Sequence, residues 1–232
     1  IVLNIRLLEL KISKNTFIPF KKLKIRHKKE IVTLGQGNLE IKKNRGLPVK
    51  PGQWDKIVMS NEFKIIDTRN KFEIDIGSFK NSINPNTDSF REFPKKFKKL
   101  KIDKDAKLAM FCTGGIRCEK ASSFLKKLGY KNVYQLDGGI LSYLNYKNKS
   151  KITETTWKGD CFVFDDRVTI NSKLKRGEYS QCFGCRSAIT NQDIASKYYK
   201  KGVYCPKCYS IRTDKQKQRS EMRQKQLELN KK

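Results

Sequence analysis

The sequence predicts an α/β domain with a parallel central sheet, followed by a small cysteine-rich module. Three observations carry this expectation. Short apolar runs ending in polar or thiol residues, "FKIIDTR" and "KLAMFC", read as buried parallel strands with their chemistry at the C-terminal edge. A segment of helical period follows the second run directly. Two Cys-x-x-Cys pairs stand well beyond these strands, where the composition changes.

Residues 1–50 carry the weakest pattern. "KKLKIRHKKEIVTLG" alternates enough apolar positions for a strand, and the Gly- and Pro-bearing "GQGNLEIKKNRGLPVKPGQW" reads as a linker. Residues 51–150 form the α/β unit. After "FKIIDTR" and "KLAMFC", the stretch "RCEKASSFLKKLGY" places Ala121, Phe124, Leu125 and Leu128 at helical spacing, and Gly129 stops it. "NVYQL" is a third strand, followed by Asp137-Gly138-Gly139 and a short helical segment through Leu144. Strand, tight loop, helix and strand in that order imply right-handed crossovers and a covered sheet. In residues 151–210, "CFVFDDRVTI" reads as one isolated strand before the cysteine pairs. Residues 211–232 form a basic tail of high helix propensity with a thin apolar face, either helical or disordered.

A formal net charge of +29 makes a polyanion the first partner to consider. Lysines stand beside Asn and Ile almost everywhere, so compositional bias underlies much of that charge and selected contacts the rest. No stretch approaches the apolar length of a membrane span. "IVLNIRLLEL" is broken by Arg6 and Glu9, which makes it a poor signal peptide. With no initiating Met, the chain reads as a fragment lacking an upstream part. Seven cysteines, four of them in two pairs, fit cytoplasmic metal or catalytic usage rather than a disulfide framework.

Cys112 stands where a buried strand ends and the chain turns sharply into a helix. Gly114 and Gly115 permit that turn, so that backbone N–H groups face inward as an anion-binding concavity. The N-terminus of the helix beginning near Arg117 adds its positive end. A thiol in such a nest has a depressed pKa and is the candidate nucleophile. Arg117 falls five positions after Cys112, and tyrosine-phosphatase-type loops use one residue more, so the geometry favours sulfur over phosphate. Cys118, in the first helical turn, either packs or resolves an oxidised Cys112, with packing favoured. Cys161 reads as a core residue and His27 as an exposed bystander.

"DTRNKFEIDIGSFKNSINP", "TDSFREFP", "FCTGGIRCEKASSFLKKLGY", "LDGGILSYL" and "GDCFVFDDRV" together resemble the bacterial rhodanese-domain tRNA uridine hydroxylases, over roughly residues 20–210. The resemblance implies a rhodanese-like domain preceded by the remnant of a ferredoxin-like α+β domain. It implies oxygen-dependent conversion of the wobble uridine of tRNA to 5-hydroxyuridine. Cys112 matches the essential cysteine and Thr113 to Arg117 its loop, with Cys112 and Arg117 as the catalytic candidates and Thr113, Gly114, Gly115 and Ile116 between them. Asp67 and Arg69 match the supporting polar pair ending the first strand. Gly77-Ser78-Phe79 departs from the Gly-His-Ile of common rhodaneses, which weakens a generic sulfurtransferase assignment. One histidine cannot build the two-His, one-carboxylate iron site of oxygen-activating enzymes, and no dinucleotide fingerprint marks a flavin or nicotinamide site. That leaves the cysteine as the best resident chemistry, through attack on the uracil ring or through an oxidised sulfur species.

"CFGC" and "CPKC", with 19 residues between them, present Cys182, Cys185, Cys205 and Cys208 as two knuckles for one tetrahedral ion. Zinc in a structural role is expected, with a rubredoxin-like iron centre as the minority reading. Phe183, Tyr198, Tyr199, Tyr204 and Tyr209, interleaved with Arg186, Lys197, Lys200, Lys201 and Lys207, suit either RNA contact or the core of that module. The sequence therefore predicts a cytoplasmic, zinc-bearing tRNA uridine hydroxylase. The rivals are a sulfurtransferase carrying a Cys112 persulfide and a non-catalytic RNA-binding protein with a vestigial rhodanese loop.

Overall fold

The computed structural model describes Ile18, Ile25, His27, Lys28, residues 30–37 and residues 39–229. Of residues 1–50, read as a ferredoxin-like remnant plus linker, "IVLNIRLLEL" and most of residues 11–29 lie outside the described residues. Residues 30–37 run without regular structure, so no strand forms over the described end of "KKLKIRHKKEIVTLG". Instead Leu34 and Leu39 are buried against the domain, and Lys120 ties the segment down through Glu30 and the Val32 carbonyl, each at 2.9 Å.

The first half of the chain contains α1 (Ile41–Asn44), β1 (Leu47–Val49), α2 (Pro51–Met59), β2 (Phe63–Asp67), α3 (Lys71–Ile74), β3 (Gly77–Phe79), β4 (Ser82–Ile83) and α4 (Phe93–Lys98). Then come β5 (Lys107–Phe111), α5 (Ile116–Lys127), β6 (Val133–Leu136) and α6 (Gly139–Lys149). Five strands form one parallel sheet in the order β1-β6-β5-β2-β4. The three strands expected from "FKIIDTR", "KLAMFC" and "NVYQL" are its centre. The stretch read as a linker supplies the edge strand β1, because a proline is tolerated at a sheet edge and Val49 pairs with Leu136. The final helix continues to Lys149, past the expected Leu144.

Side-chain alternation covers the sheet on both faces. Ile65, Ala109, Phe111 and Leu136 pack with Trp54 of α2 and Ile140 and Tyr143 of α6 on one side. Ile66, Leu108, Met110 and Val133 pack with Phe93 and Phe97 of α4 and Phe124 and Leu125 of α5 on the other. Each large side chain so buried contributes about 1.5–3 kcal/mol, which makes the sheet a rigid frame for whatever its C-terminal edge carries.

Beyond residue 150 lie β7 (Trp157–Gly159), β8 (Cys161–Phe162), β9 (Thr169–Ile170), β10 (Ser180–Gln181), β11 (Ala188–Ile189), α7 (Asn191–Ala195) and α8 (Asp214–Leu229). β7 returns to pair antiparallel with β3. "CFVFDDRVTI" is not one strand but the hairpin β8–β9, because Asp165 accepts the Arg167 N–H at 3.0 Å and folds the chain back. Phe162 and Val168 of that hairpin pack with Phe72 and Ile76 beside α3 and with Ala188 of β11. The tail forms a helix despite its thin apolar face. Arg212 and Arg223 donate to the carbonyls of Gly184 and Gly202 at 2.6 and 2.9 Å, fastening it by polar contacts instead. Among the described residues, no helix is long and apolar enough to cross a membrane.

Candidate active site

Cys112 follows the last residue of β5, at the C-terminal edge of the sheet, and α5 begins at Ile116. Between them the chain reverses through Gly115, whose φ of 94° lies in the left-handed region that favours glycine. This turn delivers the Gly115 N–H to the Cys112 Sγ at 3.1 Å. The N–H groups of Arg117 and Cys118 and the Cys118 thiol face the same sulfur. From the opposite side, the first turn of α6 donates the Ile140 and Leu141 N–H groups to the Cys112 and Thr113 carbonyls, at 2.9 and 3.1 Å. Gly139 makes that approach possible: a Cβ there would stand 2.4 Å from the Cys112 carbonyl oxygen.

Burial pushes the Cys112 pKa up. The Cys118 thiol, the Arg117 charge and the backbone donors outweigh it and bring it down to about 6. The protein therefore holds Cys112 as a thiolate at neutral pH. Cys118, beside it, is pushed the other way by burial and by the neighbouring sulfur and stays a thiol. The Thr68 hydroxyl lies 3.6 Å from the Cys118 Sγ and donates to the Phe111 carbonyl at 2.9 Å, which ties both cysteines to the end of β2. Cys161 is buried and its pKa is raised to about 12, first by that burial, consistent with a core thiol.

Beneath the loop lie two buried ion pairs. Asp67 and Arg69 meet at 2.7 Å, with the Ser78 hydroxyl donating to Asp67 at the same distance. The Arg69 guanidinium lies over the Trp157 ring at 5.2 Å and donates to the Gly77 carbonyl, joining β2, β3 and β7. In the second pair, both terminal nitrogens of Arg117 reach the carboxylate of Glu73, at 2.6 and 2.7 Å. Glu73 also accepts the Asn70 N–H at 3.1 Å, closing the first turn of α3.

The four cysteines of the two knuckles converge. Their sulfurs all lie within 4.8 Å of one another, with separations of 4.0 Å for Cys182–Cys208, 3.8 Å for Cys185–Cys205 and 3.9 Å for Cys205–Cys208. Four thiolates around a tetrahedral zinc at about 2.3 Å would stand about 3.8 Å apart, so this donor set fits such an ion.

The rhodanese-like domain family matches residues 51–146. The tRNA uridine(34) hydroxylase of Pelagibacter ubique (strain HTCC1062) is 49% identical over 222 residues, covering 95% of this chain and 71% of that protein. The chain belongs to the tRNA uridine(34) hydroxylase family. Among solved structures, a rhodanese-related protein of Thermoplasma volcanium is 30% identical, covering 44% of this chain and 92% of that one at a TM-score of 0.36. The reduced CoADR-RHD protein of Bacillus anthracis is 27% identical, covering 47% of this chain and 18% of that one at a TM-score of 0.39.

In this tRNA uridine(34) hydroxylase family member, the structure brings Cys112, Thr113, Gly114, Gly115, Ile116, Arg117 and Cys118 together as one strand-to-helix turn, with Asp67 and Arg69 at the end of the neighbouring strand. Both terminal nitrogens of Arg117 are taken by Glu73, and one of them also reaches the Thr113 hydroxyl at 3.4 Å, so the guanidinium acts on Cys112 through its charge. Sequence reasoning missed Glu73. The signal was present, since Asn70-x-x-Glu73 straight after a strand is a capping-box pattern. His27 is exposed and stands apart from this constellation.

Proposed function

We propose that this chain hydroxylates C5 of uridine 34 of tRNA to give 5-hydroxyuridine, with Cys112 as the reacting thiolate. The observation that carries the reading is the Cys112 Sγ accepting the Gly115 N–H at 3.1 Å, in a member of this family. A thiolate adds readily to the electron-poor C6 of a uracil ring, which makes C5 the nucleophile that takes up oxygen. With dioxygen as co-substrate, one atom enters as the C5 hydroxyl. The other leaves as water with two electrons and two protons from an external reductant. Loss of the C5 proton and expulsion of the thiolate then restore the ring and the enzyme.

The remaining residues serve that thiolate. Thr113, Gly114 and Ile116 shape the turn, Arg117 supplies charge, Cys118 stands beside the sulfur, and Asp67 with Arg69 holds the floor beneath it. Cys182, Cys185, Cys205 and Cys208 hold zinc, which, having four protein thiolates and no open position, contributes folding and not catalysis. Residues 151–210 are thus a zinc-binding module beside a rhodanese domain of residues 51–150. Residues 1–50 represent the remnant of a ferredoxin-like domain with its connection. Such an enzyme works where tRNA is, in the cytoplasm.

The test is nucleoside mass spectrometry of tRNA treated with the protein and a reductant under isotopically labelled oxygen gas. The reading requires 5-hydroxyuridine bearing the label, and none with Cys112→Ser. A thiolated nucleoside or free thiocyanate would establish the sulfurtransferase instead. Full product from Cys112→Ser would overturn the cysteine's role.

A further inference from the structure

We infer that Tyr198 and Tyr209, flanked by Lys197 and Lys217, form a stacking platform for unpaired nucleotides of the tRNA on the outside of the cysteine module. The identity of that RNA rests on the function proposed above. The structure divides the module's aromatic residues into two groups. Tyr199 and Tyr204 pack against the cysteine cluster and form its small core. Tyr198 and Tyr209 remain 42% and 36% exposed, yet their ring centroids stand only 4.8 Å apart. Tyr204 backs the pair, edge-on to Tyr209 at 5.0 Å.

Two half-exposed tyrosines held against each other present one contiguous aromatic surface to solvent. Three chain segments converge to build it: the residues after α7, the residues after the second knuckle, and α8. The Lys197 Nζ lies 5.1 Å from the centre of the Tyr198 ring. The Lys217 Nζ lies 4.6 Å from that of Tyr209. Among the described residues, the carboxylate within salt-bridge reach of Lys217 is Asp214, at 3.6 Å and largely in solvent, and Lys197 has none. Both ammonium groups lie over the rings, on flexible side chains that give way to the bases of an RNA strand and meet its phosphates, so rings and charges together are complementary to unpaired RNA. A chain of net charge +29 adds the long-range attraction that brings RNA to this face.

The experiment measures binding of an anticodon stem-loop RNA and of an RNA duplex of equal length by fluorescence anisotropy, without oxygen, across a salt series. Replacing both Tyr198 and Tyr209 by Ala weakens stem-loop binding about 5- to 150-fold for each base that loses its platform. The salt slope stays unchanged, because no charge is removed. Tyr198→Phe with Tyr209→Phe binds within roughly twofold of the wild type, since phenylalanine keeps the π-face. Lys217→Gln lowers the salt slope by about 0.7. If the alanine pair fails to fold, Tyr198→Ala alone, at the more exposed ring, decides by the same measure. Stem-loop binding unchanged in the alanine variant overturns the platform, as does an equal loss on the duplex. A wild-type protein that binds through these tyrosines but forms no 5-hydroxyuridine overturns the proposed function and leaves the platform standing.

Discussion

The Glu73 carboxylate takes both terminal nitrogens of Arg117, at 2.6 and 2.7 Å, and its own side chain is wholly buried. This pair joins α3 to the first turn of α5, across 44 positions of sequence, directly beneath the Cys112 loop. It fixes the loop by a contact that neither helix makes alone.

Removing either partner should therefore cost more than a surface ion pair would. Glu73→Ala and Arg117→Ala each strand a buried charge, a loss of about 3–5 kcal/mol. The double variant strands none and should cost clearly less than the sum, which denaturant unfolding of the four proteins measures. Strict additivity would show that the pair does not act as a unit.

Cys112 sets a pH dependence whose sign is fixed by its depressed pKa of about 6. Alkylation of Cys112 should follow a titration with a midpoint near that value, far below the roughly 8.5 of an unperturbed thiol. Because the folded value lies below the unfolded one, the thiolate's contribution to stability is present above the unfolded value. It is lost as pH falls through the folded one. The stability advantage of the wild type over Cys112→Ser should thus shrink on acidification across that window. A constant difference between the two unfolding curves would contradict the assignment.

Gly139 tests the loop from its other side. A Cβ at this position, where φ is 66°, would meet the Cys112 and Thr113 carbonyl oxygens at 2.4 and 2.7 Å. Gly139→Ala must push the Cys112 loop away from α6 while leaving the sheet intact. Hydroxylation should fall on the order of 100-fold, as a misplacement near 1 Å costs. Circular dichroism should remain native, and wild-type turnover in this variant would refute the coupling.

The cysteine module should lose its order with its metal. Elemental analysis of the reduced protein should find about one zinc per chain, as four thiolates hold one ion. Cys205→Ser should release it and expose residues 180–210 to proteolysis. The rhodanese sheet, with its own core, should keep its hydrogen-exchange protection. No stoichiometric metal in the wild type would remove the module's proposed zinc.

Much of the site was legible because its signals are contiguous. A strand end, two glycines and a helix start are neighbours in "FCTGGIRC", so Cys112 and its donors follow from a local turn. Each Cys-x-x-Cys pair likewise closes on itself before the two meet. The central strands were readable because a strand covered on both faces is a short, mostly apolar run. By contrast, β1 hides in a Gly- and Pro-bearing stretch, since an edge strand needs only Val49 to be buried.

By itself, then, the sequence determined the covered parallel sheet, the nest around Cys112, the two knuckles and the family. The strand runs, the nest and each single knuckle depend on residues within one or two turns of chain, where backbone geometry leaves few alternatives, whereas the family resemblance is carried by motifs spread along the chain. Only the tertiary structure decided that Glu73 occupies Arg117, that α6 braces the Cys112 carbonyl, and that Tyr199 is core while Tyr198 faces solvent. Those relations depend on which elements pack against one another. Adjacent residues with identical side chains acquire different roles because a folded surface has two sides and a sequence has none.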